Sequence, residues 1–347
     1  MTAIATQVTQ TARVVKPVRN RTTVVSLVLA GIALLVIVVS LTTGTATVPF
    51  GNAIRAAVGI DTGSLADFIV GQVRAPRVFT AALVGALLAA SGAVLQSVAR
   101  NQLASPDLIG ISSGAASGAV IFIWVTGVTS SLAIAPSAVA GALVTSALIV
   151  WLGGRGRIDP MRLIVAGIGL GFVATSTTTY LLTRIPERLV PHAYAWTVGS
   201  TNARTWQHVA VGAVAVAVIL PAVLALTRGI RALELGDDLA AGLGVRVTRV
   251  RLLAVVVAAC AAGMAAALVG PLAFIALVAP AVARRLVRSG TYSIAPAVLV
   301  GVVLTLLADY AAREMFSPTQ LPIGLFTALV GGPYLVFLLV RSRGALT

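Results

Sequence analysis

From Val24 to Leu41 the sequence runs 18 residues without a charged side chain. At 1.5 Å per residue, that is the length of helix a bilayer's hydrocarbon core requires. Such runs recur. Ten can be drawn, at roughly 22–43, 75–98, 106–128, 132–153, 161–183, 207–228, 249–269, 271–287, 292–314 and 321–340. With 58% hydrophobic and 10% charged residues, the chain carries more apolar surface than a soluble fold can hide. The expected fold is all-α: a polytopic membrane protein with ten transmembrane helices. A single transmembrane domain over 22–343 would follow a polar tail at 1–21. The first run is too long for a typical signal-peptide core and reads as a retained span. Gly270 and Pro271 leave almost no loop between the seventh and eighth spans, which are expected to meet inside the membrane as broken helices.

The net charge of +15 invites a nucleic-acid partner, but the positions argue against one. The basic residues sit in short clusters between apolar runs, as membrane topology requires. Ten spans put both termini on one face. That face receives 18 of the 25 basic residues: Arg13, Lys16, Arg19, Arg21, Arg100, Arg155, Arg157, Arg162, Arg228, Arg231, Arg246, Arg249, Arg251, Arg284, Arg285, Arg288, Arg341 and Arg343. The other face receives seven: Arg55, Arg74, Arg77, Arg184, Arg188, Arg204 and Arg313. The positive-inside rule makes the first face cytoplasmic, with both termini there. The longest extramembrane stretches, 44–73 and 184–206, fall outside and leave no room for a soluble catalytic domain.

Catalytic chemistry is poorly served. The two histidines, His192 and His208, both lie near the outer face and read as hydrogen-bonded loop residues. No HExxH, GxSxG or GxxxxGK[ST] motif is present, and the single lysine, Lys16, is in the tail. Any use of ATP must therefore come from a partner. Cys260 is alone in an apolar run, which excludes a disulfide framework and a cysteine metal site.

Arg74-Ala75-Pro76-Arg77 opens the second span on the poorly basic face. Pro76 suits a first helical turn, where its missing N–H is not needed. Two cations at a helix start oppose the macrodipole, at about 0.3–1 kcal/mol each. Arg313, at the outer end of the ninth span, follows Asp309 at a spacing that favours pairing. These three arginines suit a docking surface for an acidic external partner, or interfacial snorkelling onto lipid phosphate.

On the inner face, residues 234–247 read ELGDDLAAGLGVRV. Asp237 and Asp238 suit the first turn of a short helix and Gly244 its end. Leu235, Leu239 and Leu243 fall four apart, forming an apolar stripe for a partner's groove or for the lipid surface. Gly110, Gly114 and Gly118 share one face of the third span, and Gly167 and Gly171 one face of the fifth, a spacing that lets helices approach closely. Thr175, Ser176, Thr177, Thr178 and Thr179 either line a wet path or bond back to their own carbonyls. Asn101 and Leu103, in the break at 100–106, suit either a constriction or a plain turn.

Together these motifs resemble the permease subunits of ABC importers for ferric siderophores, haem and vitamin B12. RAPR resembles the family's Arg-x-Pro-Arg. SGAVLQSVARNQLASPDLIGISSGA at 91–115 is similar to its second-to-third-helix signature. AWTVGS at 195–200, LGDDLAAGLG at 235–244, GPLAFIALVAPAVAR at 270–284 and LPIGLFTALVGGPYLVFLL at 321–339 follow in the family's order. The resemblance implies a type II importer permease fold and a dimer with a second permease subunit around a central path. It also implies two ATPase subunits below and an extracytoplasmic substrate-binding protein above. No cofactor would be bound directly; ATP and Mg would sit on the partner ATPase. Carried over by position, binding-protein docking falls on Arg74, Arg77 and Arg313, and the cytoplasmic gate on Asn101 and Leu103. ATPase coupling falls on Leu235, Asp237, Asp238, Leu239, Ala240, Leu243 and Gly244. The chain departs from the family pattern at Ala281, where the family often has His after the proline, at Gln102, where Pro is usual between Asn and Leu, and at Gln320, where Glu is common.

The resulting expectation is a bacterial cytoplasmic-membrane permease that moves a ferric siderophore or similar chelate inward by alternating access. Haem and cobalamin remain alternative cargoes. An ion-coupled secondary transporter would place ionisable residues near the membrane midplane. Here Asp309 is the only acid well inside a predicted span, and it lies near an end. An intramembrane enzyme is disfavoured by the missing catalytic sets.

Overall fold

The computed structural model describes residues 2–44, 48–57, 65–153, 160–288, 293–316 and 319–343. Arg155 and Arg157 of the charge count lie outside the described residues, as do the side chains of Arg13, Lys16, Arg19, Arg341 and Arg343. Ten helices fall on the ten expected segments: α1 Thr2–Thr42, α2 Ala75–Ala99, α3 Ile111–Thr126, α4 Ser131–Gly153, α5 Pro160–Leu182, α6 Trp206–Glu234, α7 Val247–Val269, α8 Ile275–Val287, α9 Ile294–Glu314 and α10 Ile323–Arg343. Among the described residues, seven are long and apolar enough to cross a membrane: α1, α2, α4, α5, α6, α7 and α9. Of the other three, α10 has 21 residues, and two are short. α3 has 16 residues and α8 only 13, because the chain between α7 and α8 leaves the helix at Gly270 and re-enters it at Ile275.

α2 is the central pillar. It packs against α9, α7, α6 and α8, and contributes to both hydrophobic clusters of the fold. A helix apolar on every side belongs in the interior, and almost all of α2 is buried. One cluster joins α2 to α3, α4, α6 and α7. The other joins it to α1, α8 and α9. The small residues carry this closeness. Gly114 and Gly118 face Gly141 on α4, while Gly110 abuts Gly167 and Gly171 on α5. In lipid, where hydrophobic association is weak, such backbone approach supplies the packing.

Two local differences from the expected pattern bear on the end of the bundle that holds Arg74. First, Pro76 lies in the first turn of α2, as expected, but α2 does not start from a loop. A π-helical turn, Ile69–Arg74, leads straight into α2, and the Ala75 N–H donates to Val70 O. The wider turn lies immediately before a proline that cannot donate. Arg74 and Arg77 therefore sit beyond the first turn of the continuous helical stretch, where the dipole penalty has faded. Second, the stretch 184–206 is not a bare loop. It holds a helix, Val190–Val198, with Ala193 and Trp196 buried.

Candidate functional site

Polar side chains gather at the two ends of the bundle. At the end holding Arg100, Arg284 NH1 donates to Gln96 Oε1 at 3.1 Å and Arg21 Nε to Leu286 O at 3.0 Å. At the opposite end lie Arg74, Arg77, Arg204 and Arg313, all buried. This division agrees with the sorting of charges read from the sequence.

The opposite end is a cross-linked network. Arg77 Nε donates to Asp309 Oδ1 at 2.9 Å, and Arg77 NH1 to Gln320 Oε1 at 2.7 Å. Thr201 Oγ1 donates to the same Asp309 oxygen. Arg74 NH1 donates to Leu41 O at 2.9 Å, tying α2 to the end of α1. The expected Asp309–Arg313 pair does not form. Asp309 is taken by α2, and Arg313 Nε instead lies 3.0 Å from Glu314 Oε1. Arg313 is only 8% exposed, yet its NH1 and NH2 make no hydrogen bond among the described residues. Arg313 lies within electrostatic reach of Arg74, Arg77, Asp309 and Glu314. Nearby, Arg204 NH1 donates to Ser131 Oγ at 2.6 Å and NH2 to Ser200 O at 2.9 Å. Burial lowers its pKa to about 10. His208 is not a loop residue: it stands in the first turn of α6, where its Nδ1 accepts from the N–H of the N-cap residue Thr205 at 3.2 Å.

At the Arg100 end, a short helix Asp237–Gly242 stands beside α6 and α7, and Gly244 takes a left-handed φ of 80° just after it. Leu235, Leu239 and Leu243 are 60, 63 and 66% exposed, and Ala240 is buried beneath them. Leu239 lies within the short helix, Leu243 caps its end, and Leu235 precedes it across Gly236, whose φ of 111° breaks the helical register. Asp237 Oδ1 accepts from Arg251 NH2 at 2.8 Å and from Arg100 NH2. Asp238 shares its turn.

Asn101 and Leu103 lie in the connection between α2 and α3. Asn101 Oδ1 accepts from Leu103 N at 2.9 Å, which folds the two residues into one side-chain-closed turn. In α5, Thr177, Thr178 and Thr179 donate to the carbonyls of Val173, Ala174 and Thr175. Thr175 Oγ1 reaches Ser113 Oγ at 3.4 Å, and Ser176 is exposed.

Sequence reasoning missed Thr201, Gln320 and Arg204 at one end, and Arg100 and Arg251 as partners of Asp237 at the other. Arg251 had counted only as an inside charge. Its near-complete burial was not legible from its arginine-rich neighbourhood.

The FecCD transport family model matches residues 32–341. The chain belongs to that family. It is a transport permease, a membrane subunit and not an enzyme. It is 42% identical over 274 residues to the ferric enterobactin transport system permease protein FepG of Escherichia coli (strain K12), covering 79% of this chain and 83% of the relative. It is 37% identical over 280 residues to the achromobactin transport system permease protein CbrC of Dickeya dadantii (strain 3937), covering 80% of each. A third relative, the Fe(3+)-citrate import system permease protein YfmE of Bacillus subtilis (strain 168), is 35% identical over 90% of this chain and 93% of its own. A solved structure of a metal-chelate type ABC transporter in an inward-facing conformation superposes with a TM-score of 0.80 at 27% identity, covering 91% of this chain and 98% of that one. The architecture is therefore that of an ABC-importer permease.

Proposed function

We propose that this permease carries a ferric siderophore inward across the cytoplasmic membrane, powered by a separate ATPase pair. The observation that carries the cargo assignment is the 42% identity to a permease named for ferric enterobactin, joined by one named for achromobactin. Ferric citrate, in a third relative's name, belongs to the same class of anionic iron chelates.

The two ends of the bundle suit the two partners such a machine needs. Three exposed leucines lie on the short Asp237–Gly242 helix and at its two ends, an apolar surface that suits a partner's groove. In this reading they seat the ATPase, with both termini on the same, cytoplasmic side. At the other end, Arg313 holds donors that are unsatisfied among the described residues, close to Arg77 and Arg74. A buried guanidinium without acceptors is costly until an acid arrives, so this end suits acidic residues of an extracytoplasmic binding protein. Arg74 adds its charge to the same patch. A second permease subunit completes the central path, and ATP-driven closure of the ATPase pair alternates access between the ends through Asn101 and Leu103. Hydroxyls of α5, Ser176 among them, face that path.

The test is uptake by the assembled transporter in proteoliposomes, with its ATPase and binding protein and ATP inside or outside as orientation requires. Import of a ⁵⁵Fe-loaded catecholate siderophore, with haem and cobalamin excluded, is the expected result. ATP-dependent accumulation of haem or cobalamin in preference to every iron chelate would overturn the cargo assignment.

A further inference from the structure

Asp237 opens the Asp237–Gly242 helix, yet its carboxylate does not cap that helix. It reaches sideways, accepting from Arg100 and from the buried Arg251. Arg100 is the first residue past α2 and holds a left-handed φ of 49°. A side-chain-bearing residue keeps that conformation only where its surroundings over-determine it.

The segment that begins at Arg100 is stiffened from within. Ala104 N donates to Asn101 O at 3.1 Å, Ile109 N to Ser105 O at 3.0 Å and Ile111 N to Pro106 O at 2.9 Å. Leu103 N is held by the Asn101 side chain. Its far end is tied as firmly as its near one. Asp107 Oδ1 accepts from Ser112 Oγ at 2.6 Å, and Asp107 Oδ2 accepts from Phe274 N at 3.1 Å. Phe274 is the N-cap of α8, with a left-handed φ of 69°, and closes the non-helical break after α7. That break continues the chain of contacts. Ser200 N donates to Val269 O at 2.6 Å, and the next residue, Thr201, bonds Asp309 within the arginine network.

We propose that residues 100–110 act as a rigid strut that carries displacement of the Asp237–Gly242 helix to the membrane-buried break at 270–274, with Arg100 and Asp107 as its two positioning residues. The proposal rests on the reading of that helix as the ATPase contact. A strut needs stiffness between its ends and a specific bond at each, and this segment has both. The break is the element it moves, because there the backbone is released from helical hydrogen bonding and one carboxylate holds it. Spatial continuity alone does not demonstrate coupling, so the test reads coupling directly.

The experiment uses the complete transporter in proteoliposomes and measures cargo imported per ATP hydrolysed. Arg100 is solvent-accessible, so R100A should leave assembly and basal hydrolysis unchanged while the import-to-ATP ratio falls about fivefold or more. R100K, which restores a cation for Asp237, should return most of the ratio. D107N should also lower it, and the R100A/D107N double variant should be no worse than the more severe single one. An unchanged ratio in R100A, loss of the ATPase from R100A complexes, or losses that multiply in the double variant would each overturn the strut. Should D107N not assemble, the R100A and R100K ratios decide. A wild-type complex that hydrolyses ATP without importing any chelate would instead overturn the underlying functional reading.

Discussion

Arg77 on α2 and Asp309 on α9 form an ion pair of 2.9 Å in which the arginine is 7% exposed and the aspartate 1%. The two residues are separated by 232 positions in sequence and joined at the most extensive helix interface of the pillar. Thr201 and Gln320 complete the set, so one carboxylate and one guanidinium fasten α2, α9, the segment before α6 and the approach to α10. This is a structural clasp beside the cluster that the binding protein is proposed to meet.

Removing one partner should therefore cost stability directly. D309A leaves Arg77 buried without its main counter-charge, and the expected loss is about 3–5 kcal/mol. The readout is thermal unfolding of the purified permease in detergent, with a clear drop in midpoint. The apolar double variant R77M/D309L should recover most of that loss, because both charges leave together. A double variant as unstable as D309A would show that the clasp serves more than charge compensation.

Gly92 supplies a second stability test. It sits where α2 crosses α8, and a Cβ there would overlap the Ala276 carbonyl oxygen. Since the obstacle is backbone, it cannot rotate away. G92V should cost well over the roughly 1–3 kcal/mol typical of overpacking and abolish monodisperse purification. Gly169 on α5 has no atom within 4 Å of the same position, so G169A should purify as the wild type does. Equal behaviour of the two variants in size-exclusion profiles would contradict the packing described.

What the sequence made legible was local and periodic. Spans are visible because lipid forces backbone hydrogen bonds inward and leaves an apolar run behind. The four-residue spacing of Leu235, Leu239 and Leu243 is visible without tertiary knowledge, but the backbone break at Gly236 that leaves Leu235 outside the short helix is not. Partner choice was not legible. Asp309 offered a local mate in Arg313, and helix geometry favours that spacing, yet tertiary packing delivered Arg77 and Thr201 first. Arg251 looked like one more inside charge, because burial depends on α6 and the short helix folding over it. The stretch before Pro76 looked like a loop, because a π-helical turn ahead of a proline leaves no periodic mark. The shortness of α8 follows from the break at Gly270, which the sequence did announce.

The exposed leucines predict an assembly phenotype without a folding phenotype. Leu239 and Leu243 lie mostly in solvent, so L239D/L243D should leave the melting temperature of the isolated permease within a degree or two of the wild type. Co-purification of the ATPase should fall about tenfold or more, as expected when apolar anchors of an interface are replaced by charge. Retained assembly with normal transport would remove these leucines from the ATPase contact.

Arg313 and Arg77 should separate docking from folding. Arg313 NH1 and NH2 are unsatisfied among the described residues, whereas Arg77 is engaged by Asp309 and Gln320. R313Q removes a charge that the fold itself uses little, so the permease should purify normally. Its affinity for the loaded binding protein should fall about tenfold or more, as for loss of one partner of a desolvated charge pair. Raising the salt should narrow the gap between wild type and R313Q, because the wild-type complex depends on the screened charges. R77Q should show the reverse pattern, with poor yield from the unpaired Asp309 and near-normal affinity in the fraction that folds. Binding measured by surface-immobilised permease at two salt concentrations checks both. Unaltered affinity in R313Q at low salt would place the binding protein elsewhere on this face.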